Sequence, residues 1–126
     1  MSASRVLVIE DEPNIRDALR FILAREGWEV HVHENGATAL GAVKESAPGV
    51  VILDVMLPNR SGFDVLREMR ADADTAALPV LMLTARGQEA DRVMAEEIGA
   101  DRFMTKPFSN ADVVAAVREL ARKAGT

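Results

Sequence analysis

The chain contains no cysteine among its 126 residues. This absence excludes disulfide bonds, thiolate catalysis and zinc sites built on thiolates, and it fits a reducing compartment. The chain also lacks an apolar run near the length of about 20 residues that a membrane-spanning helix needs, since its clean runs, such as residues 50–53, are far shorter. Residues 1–5 show no signal-peptide pattern. We therefore expect a cytoplasmic protein that does not insert into a membrane.

Basic residues are too few to form a broad positive surface. The chain has 15 Lys and Arg against 20 Asp and Glu, a net charge of −5, whereas nucleic-acid backbones require a basic partner. We therefore expect no direct nucleic-acid binding. The length suits one domain with its own core, and no linker or low-complexity segment interrupts it. We expect a single domain over residues 1–126, with no output domain attached.

Short apolar runs predict the strands. Residues 28–33 alternate apolar and polar side chains, which is typical of an edge strand. Four other runs are continuous, the last one weakly, which predicts strands that are buried on both faces; they are residues 6–9, 50–53, 80–83 and 103–104.

Helical periodicity fills the segments between these runs. Asn35 is expected to cap the second helix, over about residues 36–44, and the fourth helix is expected over about residues 88–98. The apolar positions of the five predicted helices are, in chain order, Ile15, Ala18, Leu19, Ile22 and Leu23; Ala39, Leu40 and Val43; Phe63, Leu66 and Met69; Val93, Met94 and Ile98; Val113, Val114, Val117, Leu120 and Ala121. Parallel strands need helical crossovers, so this alternation predicts a doubly wound, five-stranded parallel sheet with helices on both faces.

Chemically active side chains follow the predicted strands. Glu10 and Asp11 follow the first, Asp54 the third, Thr84 the fourth and Lys106 the fifth, and ligands of open parallel sheets bind at the carboxyl ends of the strands. Three clustered carboxylates repel one another unless a cation joins them. All of these candidate ligands are oxygens and the chain has no cysteine, so the site favours Mg²⁺ over zinc. If Asp54 became an acyl phosphate, Lys106 and Thr84 would be the natural donors to its oxygens.

At these residues the sequence resembles the receiver domains of two-component response regulators. The match covers about residues 5–123, and its motifs, in chain order, are residues 9–11, Asp54 with residues 57–58 and Gly62, residues 83–85, and residues 99–101 leading to residues 106–108. The resemblance implies a flavodoxin-like fold with strand order 2-1-3-4-5. That order agrees with an edge strand over residues 28–33.

The resemblance also implies a phosphoryl-transfer function. Asp54 would accept a phosphoryl group from a phosphohistidine on a histidine kinase or a histidine phosphotransfer protein. Asp11 would bind Mg²⁺ directly, Glu10 would bind it through water, and Met56 would contribute its backbone carbonyl. The domain would catalyse only its own phosphorylation and dephosphorylation, so we do not expect an enzyme that acts on other substrates.

By the same resemblance, phosphorylation changes the shape of the domain. Lys106, joined to Pro107 by a bond expected to be cis, and Thr84 would hold the phosphoryl oxygens. Movement of Thr84 would let Phe103 turn inward and change the face formed by the fourth helix, fifth strand and fifth helix. A downstream protein or a second copy would read this face. Because Phe103 has no hydroxyl to satisfy, we expect its inward rotamer to be populated even without phosphate.

Two positions are expected to tune the lifetime of the phosphoryl group. Met56 and Arg86 stand two residues after Asp54 and Thr84, respectively. In receivers these positions flank the path of the water that attacks phosphorus. A bulky apolar group beside a long cation should hinder that water, so we expect slow self-dephosphorylation.

The charges near the end of the chain resemble the dimer face of OmpR/PhoB-type receivers. Arg102 departs from the pattern, because an acid is usual at that place. The residues that match are Arg92, Glu97, Asp112 and Arg118. They predict a symmetric homodimer on phosphorylation.

Other functions and simpler interpretations are open to test. An aspartyl-phosphate phosphatase of the haloacid dehalogenase type needs a second acid where Met56 stands, and a flavodoxin-like flavin carrier needs a hydroxyl- and glycine-rich loop where residues 10–12 are acidic. A degenerate receiver that acts only as a scaffold is disfavoured because no site residue is lost. His31 and His33 resemble a metal pair, but no third ligand is evident, so we interpret them as solvated edge residues.

Overall fold

A computed structural model describes residues 2–85 and 88–125 of the chain. Within this part, strands and helices alternate as the periodicity predicts. The strands are β1 (Ser2–Ile9), β2 (Glu29–His33), β3 (Pro48–Asp54), β4 (Val80–Thr84) and β5 (Arg102–Thr105). The helices are α1 (Pro13–Arg25), α2 (Ala39–Ser46), α3 (Gly62–Ala71), α4 (Glu89–Ile98) and α5 (Asn110–Gly125), and a short 3₁₀ helix (Gly36–Thr38) precedes α2.

The five strands form one parallel sheet in the order β2-β1-β3-β4-β5. This confirms the predicted fold class, the strand order and the edge position of β2. Every residue of β3 and of β4 is buried, as continuous apolar runs predict for strands covered on both faces. β5 is the second edge strand and is only half-buried, which agrees with the weakness of its apolar signal.

Two hydrophobic clusters fill the two faces of the sheet. Alternate residues of each strand point to opposite faces, so Val50 and Ile52 join one cluster whereas Val51 and Leu53 join the other. Helices α1 and α5 cover the first face, and α2, α3 and α4 contribute to the second. Each large side chain that is fully buried in this way stabilises the fold by about 1.5–3 kcal/mol. No helix of the described residues is long and apolar enough to cross a membrane.

The second α-helix begins later than predicted. Asn35 does act as a cap, because its Oδ1 accepts a hydrogen bond from the Ala37 N–H at 2.8 Å, but it caps the 3₁₀ helix and not α2. The Gly36 N–H donates to the Pro58 carbonyl at 3.1 Å, and a Cβ at Gly36 would lie 2.0 Å from the Arg60 carbonyl oxygen. This contact with the β3–α3 loop is a tertiary constraint that periodicity does not reveal.

The predicted apolar face of α4 is wrong for Val93 and Met94 but is confirmed for Ile98, which packs against a core cluster. Val93 and Met94 are 41% and 40% exposed, whereas the buried residues of the helix are Asp91 and Ala95. Residues 91, 95 and 98 are spaced along one side of a helix, and this side faces the protein. In α1 the prediction holds for Leu19 and Leu23, which are fully buried, but Ala18 is exposed.

The loop after β3 folds back against the C-terminal end of that strand. Ser61 caps α3 by accepting a hydrogen bond from the Asp64 N–H at 3.2 Å, and the Gly62 N–H donates to the Val55 carbonyl at 2.8 Å. A Cβ at Gly62 would lie 2.1 Å from the carbonyl oxygen of Asp54. Only glycine fits there without a shift of the backbone that carries the Asp54 side chain.

We predict that Gly62→Ala destabilises the domain by about 1–3 kcal/mol, the usual cost of forcing an extra methyl group into a packed site. The matched control is Gly41→Ala on α2, where nothing lies within 4 Å of a new Cβ. Alanine should stabilise that helix by about 0.5–1 kcal/mol. Urea denaturation measures both changes, and a Gly62→Ala midpoint equal to that of the wild type would contradict the close approach.

Candidate functional site

The structure brings the predicted acidic residues together at the carboxyl ends of β1 and β3. Glu10, Asp11 and Asp54 each offer one carboxylate oxygen, and these oxygens lie within 4.8 Å of one another. Asp54 is the last residue of β3, and the other two follow β1 directly. Glu10 and Asp54 are buried, whereas Asp11 is exposed. The cluster therefore has a buried floor and one carboxylate on its solvent side.

Hydrogen bonds of the backbone position the two buried acids, Glu10 and Asp54. The Glu10 N–H donates to the His33 carbonyl at 2.9 Å at the end of β2. The Glu10 Oε2 accepts a hydrogen bond from the Glu12 N–H at 3.1 Å. Asp54 is in register with Leu83 of β4, and the Val55 N–H donates to the Leu83 carbonyl at 2.9 Å. Strand pairing thus determines where the acidic side chains meet.

Lys106 brings one positive charge to the buried carboxylates. Its Nζ lies 2.7 Å from Glu10 Oε1 and 3.3 Å from Asp54 Oδ1. The backbone N–H of Lys106 donates a hydrogen bond to the Thr84 carbonyl at 2.7 Å. The peptide bond between Lys106 and Pro107 is cis, as predicted. Burial alone lowers the pKa of Lys106, but the hydrogen bond to Glu10 and the charge of Asp54 outweigh it, so the pKa is raised. The lysine is therefore held as an ammonium.

The buried position of Asp54 changes the pKa of its carboxyl group. Burial and then the charge of Glu10 raise its pKa from 3.8 to about 7, against the opposing effect of Lys106. Its Oδ1 is buried and accepts no hydrogen bond of ordinary geometry. One ammonium is thus too little to stabilise two buried carboxylates, and a further cation would favour the ionised form.

The donor set fits a magnesium ion. Mg²⁺ takes oxygen ligands, binds through one or two carboxylates and keeps several waters for which an open side is required. The buried Oδ1 of Asp54, which forms no hydrogen bond of ordinary geometry, and the exposed carboxylate of Asp11 meet these needs. Within the part of the chain that the structure describes, these two acids and Glu10 form the one cluster of three potential metal ligands, and neither histidine of β2 belongs to it.

The other predicted site residues differ in their burial. Thr84 is fully buried at the end of β4. The Met56 side chain is 58% exposed in the loop after Asp54. Phe103 is half-buried and packs against the core cluster that contains α3 and α4 residues. Arg86 lies outside the described residues.

The predicted dimer residues lie on the surface, and two of them have partners in their own chain. Arg92 forms ion pairs with Glu89 and Glu96 of α4. Arg118 of α5 lies 3.1 Å from Glu26 beside α1. Glu97 and Asp112 are exposed, and Arg102, which departs from the family pattern, pairs with Glu119 at 3.2 Å.

Sequence reasoning did not reveal that Glu10 is the nearest partner of Lys106 at this site. It assigned Glu10 to the metal and Lys106 to the phosphoryl group, whereas the structure joins them at 2.7 Å. The sequence does show opposite charges after the first and the fifth strand, on Glu10 and Lys106. Whether these two side chains touch depends on the order of the strands and on the side-chain conformations, which the charges alone do not predict.

Comparison with known proteins agrees with this geometry. The family model of the response regulator receiver domain matches residues 6–118. The sensory transduction protein RegX3 of Mycobacterium tuberculosis is 41% identical over 120 residues, which cover 95% of this chain and 52% of that protein. RegX3 of Mycolicibacterium smegmatis is 42% identical over 118 residues, or 94% of this chain and 50% of that protein. The chain thus spans about half the length of these curated relatives.

A solved structure shows the same architecture. A putative response regulator from Chloroflexus aurantiacus superposes with a TM-score of 0.90 at 29% identity, covering 94% of this chain and 98% of that one. The chain belongs to the response regulator receiver domain family. Phosphorylation-dependent signalling in two-component systems is the general function of this family, a histidine kinase is the partner it implies, and its members generally bind Mg²⁺ at an acidic pocket.

We predict that Asp54→Asn stabilises the metal-free domain at pH 8 and has little effect at pH 4. The raised pKa of Asp54 means that the folded state holds a proton which the unfolded state releases between about pH 4 and pH 7. Wild-type stability therefore falls as pH rises through this window and stays lowered above it. The gain from Asn at pH 8 is at most about 4 kcal/mol.

Urea denaturation in the presence of a chelator measures this pH dependence. The matched control is Asp17→Asn, on the exposed side of α1, which should change the stability little at either pH. An equal gain from Asp54→Asn at both pH values would show that buried charge is not the cause.

Proposed function

We propose that Asp54 is the phosphoryl acceptor of this receiver domain and that Glu10, Asp11 and the Met56 carbonyl hold the Mg²⁺ it requires. The observation that supports this assignment is the state of the Asp54 carboxylate. It is buried, it lies 3.3 Å from the ammonium of Lys106, and its Oδ1 accepts no hydrogen bond. The ion pair with Lys106 still leaves lone pairs of this oxygen available for a bond to phosphorus.

The two neighbouring acids are less suited to act as the nucleophile. Both oxygens of Glu10 are engaged, one by Lys106 at 2.7 Å and the other by the Glu12 N–H at 3.1 Å. Asp11 is exposed, so water competes for its oxygens. Asp54 differs from both, because its buried Oδ1 is held only by the longer ion pair with Lys106 at 3.3 Å and by no hydrogen bond of ordinary geometry, which suits it to act as a nucleophile.

The transfer moves a phosphoryl group from nitrogen to oxygen. An oxygen of Asp54 forms a bond to phosphorus while the bond from phosphorus to the histidine nitrogen of the donor breaks, and the electron pair of that bond stays on the imidazole. Mg²⁺ held by Asp11, by Glu10 and by the Met56 carbonyl would supply the positive charge that balances the phosphoryl oxygens. Lys106 donates to one of these oxygens, which shifts it away from Glu10. In self-dephosphorylation, water attacks phosphorus and releases inorganic phosphate and the Asp54 carboxylate.

The signal leaves the site through β4 and β5. Thr84 ends β4, and its carbonyl accepts the hydrogen bond of the Lys106 N–H, so a shift of one is transmitted to the other. Phe103 is in register with Met82 of β4, and its ring borders an open cavity of about 420 Å³ between α4 and β5. Inward and outward positions of this ring then distinguish two states of the face formed by α4, β5 and α5.

This face is the surface that a downstream protein or a second copy reads after phosphorylation. For a symmetric dimer, Arg92 and Arg118 must exchange their partners Glu89, Glu96 and Glu26 for acids of the second copy. Such exposed pairs contribute only about 0–1 kcal/mol each, so the exchange costs little.

We predict that Mg²⁺ with acetyl phosphate adds one phosphoryl group to the wild type and none to Asp54→Asn. Intact-mass and peptide mass spectrometry locate the adduct. The matched control, Asp64→Asn, changes an exposed acid of α3 that pairs with Arg67, and it should label as the wild type does. An adduct on Asp11, or an unchanged adduct in Asp54→Asn, would contradict the assignment of the acceptor.

We predict that Met56→Ala shortens the lifetime of the phosphoryl group severalfold. The exposed Met56 side chain, two residues after Asp54, shields phosphorus from water, and alanine removes that shield. Release of inorganic phosphate after removal of the donor measures the rate. Met94→Ala is the matched control, because Met94 is a 40% exposed methionine on α4. Slower hydrolysis in Met56→Ala would contradict a shielding role.

A further inference from the structure

Arg70, in the last turn of α3, connects three other segments of the chain. Its Nε donates to the Gly99 carbonyl at 3.0 Å, and its Nη1 donates to the Ala76 carbonyl at 3.2 Å. Its Nη2 lies 3.2 Å from Asp101 Oδ2. Only 18% of the side chain is exposed. A guanidinium with several acceptors fixed around it is a rigid connector and not a solvated surface charge.

The three segments are the end of α4, the loop before β4 and the start of β5. Gly99 caps α4, and the Asp101 carboxylate that pairs with Arg70 also accepts a hydrogen bond from the Val80 N–H at 2.8 Å. The Asp101 N–H returns a bond to the Val80 carbonyl at 3.0 Å. Arg70 therefore joins the C-terminal end of α4 to the first residues of β4 and β5, at the edge of the sheet opposite to Asp54.

Glycine at position 99 is part of this arrangement. Gly99 has a φ of 120°, a conformation that other residues rarely adopt. A Cβ there would lie 3.1 Å from Arg70 Nε and 3.4 Å from its Cδ. The arginine side chain thus lies directly against the glycine that ends α4.

The rest of α4 is held much less firmly. Of its ten residues only Asp91 and Ala95 are buried, whereas the ten residues of α3 include five buried ones. The open cavity of about 420 Å³ separates Arg92 and Glu96 of α4 from Arg102 and Phe103 of β5. Few buried contacts mark the parts of a protein that move most easily. The N-terminal end of α4 is also the end that the chain reaches from Thr84.

We propose that Arg70 is a positioning residue that anchors the C-terminal end of α4, so that phosphorylation moves the N-terminal half of the helix about this fixed end. The proposal rests on the proposed function, because the movement begins at Thr84. Fixing one end converts a small shift of β4 into a rotation of α4 over the cavity beside Phe103. Without the anchor, the same shift would displace the whole helix and spread over its length.

The test is amide hydrogen exchange, followed by NMR, in the full chain with Arg70→Met. Methionine keeps the apolar stem of the side chain and removes every donor. Arg5→Met is the matched control, because Arg5 also donates to the last carbonyl of a helix, that of Ser46 on α2, and pairs with Glu29. Exchange rates are divided by those of β3 in the same variant, which removes the effect of global stability.

Without any phosphoryl group, Arg70→Met should speed the exchange of residues 95–101 at least about tenfold relative to β3, the lower limit expected for the loss of three hydrogen bonds. Arg5→Met should speed exchange at the end of α2 and leave residues 95–101 unchanged. Arg70→Lys, which offers a single ammonium, should give an intermediate rate. Wild-type exchange of residues 95–101 in Arg70→Met would overturn the anchor, whether or not Asp54 is phosphorylated.

The second arm adds Mg²⁺ and beryllium fluoride, a mimic of the phosphoryl group. In the wild type, exchange should change over residues 88–94 and stay constant over residues 95–101, and in Arg70→Met the change should extend over both. Equal changes in both halves of the wild-type helix would overturn the fixed end. If the wild type does not respond at all, the proposed function fails and the movement with it, whereas the first arm still decides whether Arg70 holds the helix.

Discussion

The structure depends on how two buried carboxylates, Glu10 and Asp54, share one ammonium. Lys106 lies closer to Glu10 than to Asp54, at 2.7 Å and 3.3 Å. Charges in a poorly solvated site interact strongly, so the second carboxylate is left partly unsatisfied and its pKa rises to about 7. The fold thus keeps, at the end of its central strand, an acid whose ionised form is stabilised by an added cation. Binding of a metal relieves this excess of negative charge, whereas the phosphoryl group that we propose for Asp54 adds to it and makes the metal and Lys106 more necessary.

The apolar core of the parallel sheet offsets the destabilisation that these buried carboxylates cause. Residues 50–53 and 80–83 are entirely buried, and their apolar side chains contribute to the hydrophobic clusters on both faces. Because all strands run in the same direction, every strand ends at the same edge, and the polar residues that follow them must meet there. The unfavourable groups are confined to that edge. The opposite edge carries contacts such as Arg70 with Asp101, which hold the helices and the strands together.

The sequence alone predicts the parts that depend on local pattern. Continuous apolar runs gave the central strands, alternation gave the edge strand, and the residues after the strands gave the acidic cluster. Predictions failed where a tertiary contact decides the outcome. The approach of Gly36 to Arg60 delays the start of α2, and the narrow contact of α4 leaves Val93 and Met94 exposed. The pairing of Lys106 with Glu10 joins residues far apart in the chain, which no periodicity encodes.

The failed prediction for α4 carries a physical meaning of its own. Because Val93 and Met94 are 41% and 40% exposed, α4 gains only part of the about 1.5–3 kcal/mol that full burial of each side chain would contribute. The helix is therefore held by the contact of Arg70 with its C-terminal end and by a narrow buried face, and small forces suffice to move its other end. In the proposed function, a phosphoryl group on Asp54 supplies such a force at one edge of the sheet, and the guanidinium of Arg70 resists it at the other. The sparse packing of α4 is the property on which this proposed route from Asp54 to the surface depends.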